Sequence, residues 1–110
     1  LNITNFNCSN VGDNSVELTV TDVNANSASK TATVTVEDQI APTVLTQNIT
    51  VELDANGNAT ISAEDINNGS TDNCQIQSRS LNITNFDCSD VGDNSVELTV
   101  TDVNGNSASK

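Results

Sequence analysis

Two stretches, "TDVNANS" at residues 21–27 and "TDVNGNS" at residues 101–107, carry side-chain oxygens at the first, third and fifth places of an Asp-x-Asn-x-Asn run. They are Asp22, Asn24 and Asn26 in one, and Asp102, Asn104 and Asn106 in the other. Oxygens at alternate places of a tight turn suit a hard cation such as Ca2+, which gathers about 6 to 8 of them from carboxylates, amides and carbonyls. The run opens like an EF-hand loop. However, its sixth place from Asp22 is Ser27 rather than Gly, its twelfth is Thr33 rather than Glu, and no helical pattern flanks it, so an EF-hand is excluded. The competing reading is that Asp and Asn stand there because they favour turns and tolerate left-handed backbone.

The charge balance points the same way. Three basic against 15 acidic residues give a net charge of -12, so nucleic acid and anionic membrane surfaces are unfavourable partners and cations are natural ones. With no histidine in the chain, Ser/His and Cys/His catalysis lack their base, and Zn2+ lacks its usual nitrogen ligands. Paired carboxylates could serve glycoside hydrolysis, but Phe6 and Phe86 are the only aromatic residues and build no sugar platform. Enzymatic activity is therefore not expected. Lys30, Arg79 and Lys110 are too sparse for an anion site and read as solvated strand ends. No apolar stretch approaches the roughly 18 residues of a membrane span, so direct membrane insertion is not expected either. Of the sequons at Asn2, Asn7, Asn48, Asn58, Asn68 and Asn82, most read as chance in a chain rich in Asn and Thr, and their glycosylation would depend on the host.

The elements that must hold these oxygens are organised by a repeat. Residues 1–30 reappear as 81–110, an offset of 80, with changes only at Asn7/Asp87, Asn10/Asp90 and Ala25/Gly105. Lys30 is followed by "TATVTVEDQIAP", so a similar continuation is expected after Lys110 in a tandem array. Cysteine usage fits that frame. Cys74 and Cys88 fall within one period and leave Cys8 single, its partner expected before residue 1; a reduced chain or an intermolecular bridge are the alternatives. A disulfide would place the chain in an oxidising, extracytoplasmic compartment and would support a core built almost wholly from aliphatic residues.

Alternation of period two marks the strands. Val16, Leu18 and Val20, and their copies Val96, Leu98 and Val100, share a face; so do Ala32, Val34 and Val36, then Ile49, Val51 and Leu53, then Ala59, Ile61 and Ala63. "DANGN" at residues 54–58 is an Asn-Gly hairpin signal. Short strands spaced by such turns predict an all-β fold of immunoglobulin-like antiparallel β-sandwich modules. The expected division is 1–38 as the C-terminal part of one module and 39–110 as the next, lacking its last strand.

In that topology the loop at residues 64–73, the loop at 101–107 and the entering linker meet at one pole. Asp38, Asp65, Asp72, Asp102, Asn104 and Asn106 are its best oxygens, joined by Glu37; Asp13, Asp22 and Asn24 are the candidates in the preceding module. Ca2+ there would offset the mutual repulsion of the carboxylates and stiffen the joint.

The residues "APTVLTQNITVELDANGNATISAEDINNGSTDNC", then "FDCSDVGDNSVELTVTDVNGNSAS", then "TATVTVED" as at 31–38, resemble the hyalin-repeat-like (HYR-like) modules of large bacterial surface proteins, similar to flavobacterial gliding-motility adhesins. The resemblance implies an immunoglobulin-like sandwich, a Cys74–Cys88 bridge and a stalk or fibre repeat at the extracellular cell surface. Neighbouring modules are then the chief partners. Two alternatives are a module that binds a surface glycan or protein directly, and a filament whose missing strand is donated by another subunit.

Overall fold

A computed structural model describes residues 1–110, which divide into two compact units, Leu1–Asp38 and Gln39–Lys110. The chain is all-β apart from short helical turns, its strands lying in small antiparallel sheets.

The first unit begins with a 3-10 turn, Cys8–Asn10, closed reciprocally: Asn7 Oδ1 accepts from the Ser9 amide and Asn10 Oδ1 accepts from the Asn7 amide, both at 2.9 Å. Strand β1 (Gly12–Thr21) then pairs with β2 (Ser27–Val36) over ten residue pairs, from Gly12↔Val36 to Thr21↔Ser27. Asn2 clamps the outer edge of β1, its amide donating to the Glu17 carbonyl and its Oδ1 accepting from the Glu17 amide. The hairpin has little core of its own. Val16 is buried, but Leu18 and Val20 are 52% and 63% exposed.

The second unit opens with isolated bridges, Thr43↔Thr71 and Thr46↔Asn67. The buried Ser70 hydroxyl ties these segments together, accepting from the Leu45 amide at 3.0 Å and donating to the Leu45 carbonyl at 3.3 Å. Strand β3 (Asn58–Thr60) pairs with β5 (Asn85–Asp87). Strands β4 (Ile76–Leu81), β6 (Leu98–Asp102) and β7 (Ser107–Ser109) form a sheet with β6 in the middle. Being central, β6 shows the alternation most clearly: Leu98, Val100 and Asp102 are fully buried while Thr99 and Thr101 are partly exposed. Leu98 and Val100 join Val44, Ile61 and Ile66 in the core, with Ile76, Leu81, Phe86 and Val96 packed around them.

Three expectations fail here. The alternation Ala59, Ile61, Ala63 does not run on as a strand, because helix α1 (Ala63–Ile66) begins after Ser62, whose amide donates to the Asp65 carboxylate at 2.9 Å. A Ser followed three residues later by Asp is a helix-start signal, and it overrides two further residues of alternation. Residues 49–53, expected to form a strand with Ile49, Val51 and Leu53 on one face, pair with no strand, and Ile49 and Val51 remain exposed. The expected cysteine pattern is overturned: the Cys74–Cys88 bridge is absent and Cys88 is a free, exposed thiol, whereas Cys74 and Cys8, the latter expected to be single within this chain, are both disulfide-bonded. Cys88 follows β5 directly, and the β3–β5 pairing turns its Sγ onto the Gly57 carbonyl at 3.9 Å, in the turn before β3.

Candidate metal centre

Each Asp-x-Asn-x-Asn loop is closed by its own aspartate. Asp102 Oδ1 accepts from the amides of Asn104 and Asn106 at 2.8 and 2.9 Å, and its Oδ2 accepts from the Asn106 side-chain amide at 3.0 Å. Asp22 repeats this with Asn24 and Asn26 at 2.8 and 3.0 Å. Asp54 does the same with Asn56 and Asn58, both at 2.9 Å, within "DANGN". Recurrence at a third place, in a turn that the sequence marks as an Asn-Gly hairpin signal, identifies the run as turn chemistry first. In the Asp22 loop these donors hold the carboxyl below its usual range, chiefly the Asn26 amide, then the Asn26 side chain and the Asn24 amide.

The three loops differ in surroundings. Asp22 and Asp54 are exposed, whereas Asp102 ends the central strand β6 and is fully buried. The Val103 amide, donating to the Gln75 carbonyl at 3.0 Å, anchors the Asp102 loop to the segment leading into β4. Just upstream, Asp72 is placed by two bonds between Thr43 and Thr71, at 2.7 and 3.0 Å. Its Oδ2 accepts from the Cys74 amide at 3.0 Å, while its Oδ1 is shielded from solvent with no hydrogen-bond partner. Carboxylate oxygens of Asp72 and Asp102 lie within 4.8 Å of one another.

Two carboxylates this close, one fully buried and the other with an orphaned oxygen, repel each other unless a cation lies between them. The donor set is all oxygen and suits a hard divalent ion better than Zn2+. Asp72 and Asp102 therefore form the part of the expected pole that the second unit itself assembles. Asp65 is occupied by the start of α1, and Asp13 accepts from the Thr35 hydroxyl at 2.8 Å within the first unit. Glu37 and Asp38 close the first unit, and Asp22 and Asn24 sit in its β1–β2 turn. Asn104 supplies a backbone amide to Asp102, and Asn106 turns its side-chain nitrogen toward the same carboxylate.

The orphaned Asp72 oxygen is the element that sequence reading could not isolate, since nothing in "STDNC" distinguishes it from the turn oxygens around it. No family model, characterised protein or solved structure matches this chain.

Proposed function

We propose that the chain is a stretch of tandem immunoglobulin-like β-sandwich modules serving as the structural repeat of an extracellular bacterial adhesin stalk or filament, with Ca2+ held at the joints between modules. The observation that carries this reading is that the repeat is architectural down to single hydrogen bonds. Asn82 clamps Glu97 as Asn2 clamps Glu17, with the same 3.2 and 2.8 Å bonds. The Asn94 side-chain amide spans the Asp90 and Gly92 carbonyls as Asn14 spans those of Asn10 and Gly12.

Copies that preserve clamps and turns rather than an exposed ligand-binding feature fit a spacer, whose task is to set length and stiffness. The resemblance to HYR-like surface modules and the strongly acidic composition support the same reading. Ca2+ enters through the Asp72–Asp102 pair, whose repulsion it would offset.

Small-angle scattering and calorimetry on a polypeptide of several 80-residue repeats, in Ca2+ and in EDTA, test the proposal. The expected result is a stiffer, higher-melting particle in Ca2+. Identical flexibility and melting in both would remove the metal from the reading. Binding of the chain to a surface glycan panel would replace the spacer role with direct recognition.

A further inference from the structure

The two copies of one sequence differ in how far their hairpins are zipped. In the first, residues 12–17 lie in β1 and pair with residues 31–36 of β2. In the second, the equivalent residues 92–97 belong to no strand, and β6 starts only at Leu98. The last rung is intact and in the same register: the Leu98 amide donates to the Lys110 carbonyl at 2.8 Å and the Lys110 amide to the Leu98 carbonyl at 2.9 Å, matching Leu18↔Lys30.

Beyond that rung lies a groove of about 1000 Å³. One wall is formed by residues 46–53 and the other by residues 90–96, with Ile61, Ile66 and Phe86 among the residues lining it and Lys110 at its margin. Residues 49–53 on the first wall have the alternation of a strand but no ladder partner. Ile49 and Val51 are 38% and 46% exposed, and Val91 on the other wall is 78% exposed. Two segments that belong to no strand and line one groove of mixed polar and apolar character offer the two edges that a missing strand would satisfy.

We propose that this groove seats a β-strand with the sequence of residues 31–36, carried on the chain directly behind Lys110 and pairing antiparallel with residues 92–97. The inference rests on the tandem-array reading of the repeat. The β1–β2 hairpin supplies the register: Val36, Val34 and Ala32 stand opposite Gly12, Asn14 and Val16, so the incoming strand's equivalents stand opposite Gly92, Asn94 and Val96. Its apolar face, Ala-Val-Val, covers the groove, and its threonine at the place of Thr35 meets Asp93 as Thr35 meets Asp13.

Attachment behind Lys110 is favoured over donation by a second copy. The next residue already starts in register beside Glu97, with no loop to close. A second copy would have to give up its own ten-pair β1–β2 ladder and lose the freedom of a separate molecule.

The test compares the 110-residue chain, the same chain lengthened after Lys110 by Thr-Ala-Thr-Val-Thr-Val-Glu-Asp, and a lengthened chain with both added valines replaced by aspartate. Amide exchange is followed at residues 48–53 and 92–97. The expected result is at least about 100-fold slower exchange at both segments in the first lengthened chain only. Unchanged exchange there, with the added residues fully labile, would overturn the proposal. Protection that instead grows with concentration in the 110-residue chain, while β2 loses its own, would assign the groove to a second copy and overturn attachment in cis. Neither readout depends on Ca2+ or stiffness, so failure of the stalk reading leaves this result standing and the reverse also holds.

Discussion

Ala25 and Gly105 hold the same place in the same loop with φ values of +68° and +85°. In both, the amide of this residue donates to the carbonyl of the loop's aspartate, so the left-handed conformation is set by loop closure rather than by residue type. Alanine pays a steric cost there that glycine avoids. Nothing lies within 4 Å of a Cβ built on Gly105, so Gly105→Ala is expected to destabilise the second unit by about 1 kcal/mol, through backbone strain alone. Urea midpoints measure this. Ala25→Gly should slow amide exchange at Asn26 by a comparable factor, and an unchanged rate would contradict the strain argument.

Gly57 has the same kind of backbone, φ +79°, but a different neighbour: a Cβ there would stand 2.8 Å from Cys88 Sγ. Gly57→Ala should therefore cost about 1 to 2 kcal/mol more than Gly105→Ala, the excess being overpacking. Replacing Cys88 by Ala removes the obstructing sulfur. In that background Gly57→Ala should fall back to the Gly105→Ala value, and additivity of the two changes would show that the contact is not the cause.

The free thiol of Cys88 also gives a direct chemical readout. Native protein should take up one equivalent of a thiol reagent, at Cys88, and two more after reduction, at Cys8 and Cys74. Peptide mapping locates the label. Modification of Cys8 before reduction would restore the Cys74–Cys88 pairing expected from the sequence.

The failure of that pairing shows what the sequence made legible. Local rules carried through in part: alternation placed β1, β2 and β6, the Asn-Gly signal placed a turn before β3 but not the hairpin expected there, since residues 49–53 do not pair with β3, and the capping pattern at Ser62 and Asp65 was present to be read. Burial was not legible, because Leu18 and Leu98 sit in identical 30-residue surroundings apart from three positions, yet one is 52% exposed and the other fully buried. Their difference comes from which segments pack against each copy, a non-local property. The site divided in the same way. Asp102 stood out by its motif, whereas the orphaned Asp72 oxygen depends on the Thr43–Thr71 bridge, which no local pattern encodes.

Asp87 and Asn7 test how little a charge contributes where geometry is shared. Both accept from the Ser9-type amide and hydroxyl of the following turn, through Ser89 and Ser9 respectively. The Asp87 carboxyl is held below its ordinary value, first by the Ser89 hydroxyl and then by the Ser89 amide. A depressed folded pKa means that its stabilising contribution is present above the unfolded pKa, about 3.9, and is lost as pH falls through the folded value. Asp87→Asn should leave neutral-pH stability nearly unchanged and flatten the acid limb below about pH 4. Equal acid sensitivity in the variant would assign that limb to other carboxyls, among them Asp22.

Asp72 and Asp102 give the sharpest test, because removing one charge should act in opposite directions with and without metal. In EDTA, Asp72→Asn relieves repulsion across the 4.8 Å cluster and gives the orphaned position an amide able to donate toward Asp102. The variant should therefore unfold at equal or higher urea than the parent. In Ca2+ at about 100 times its Kd, the parent should gain about 3 kcal/mol by mass action, and the variant much less. The order of the two proteins then inverts between buffers. A parent chain whose urea midpoint ignores Ca2+, together with a variant destabilised in EDTA, would make Asp72 a structural carboxylate whose buried oxygen is satisfied by water.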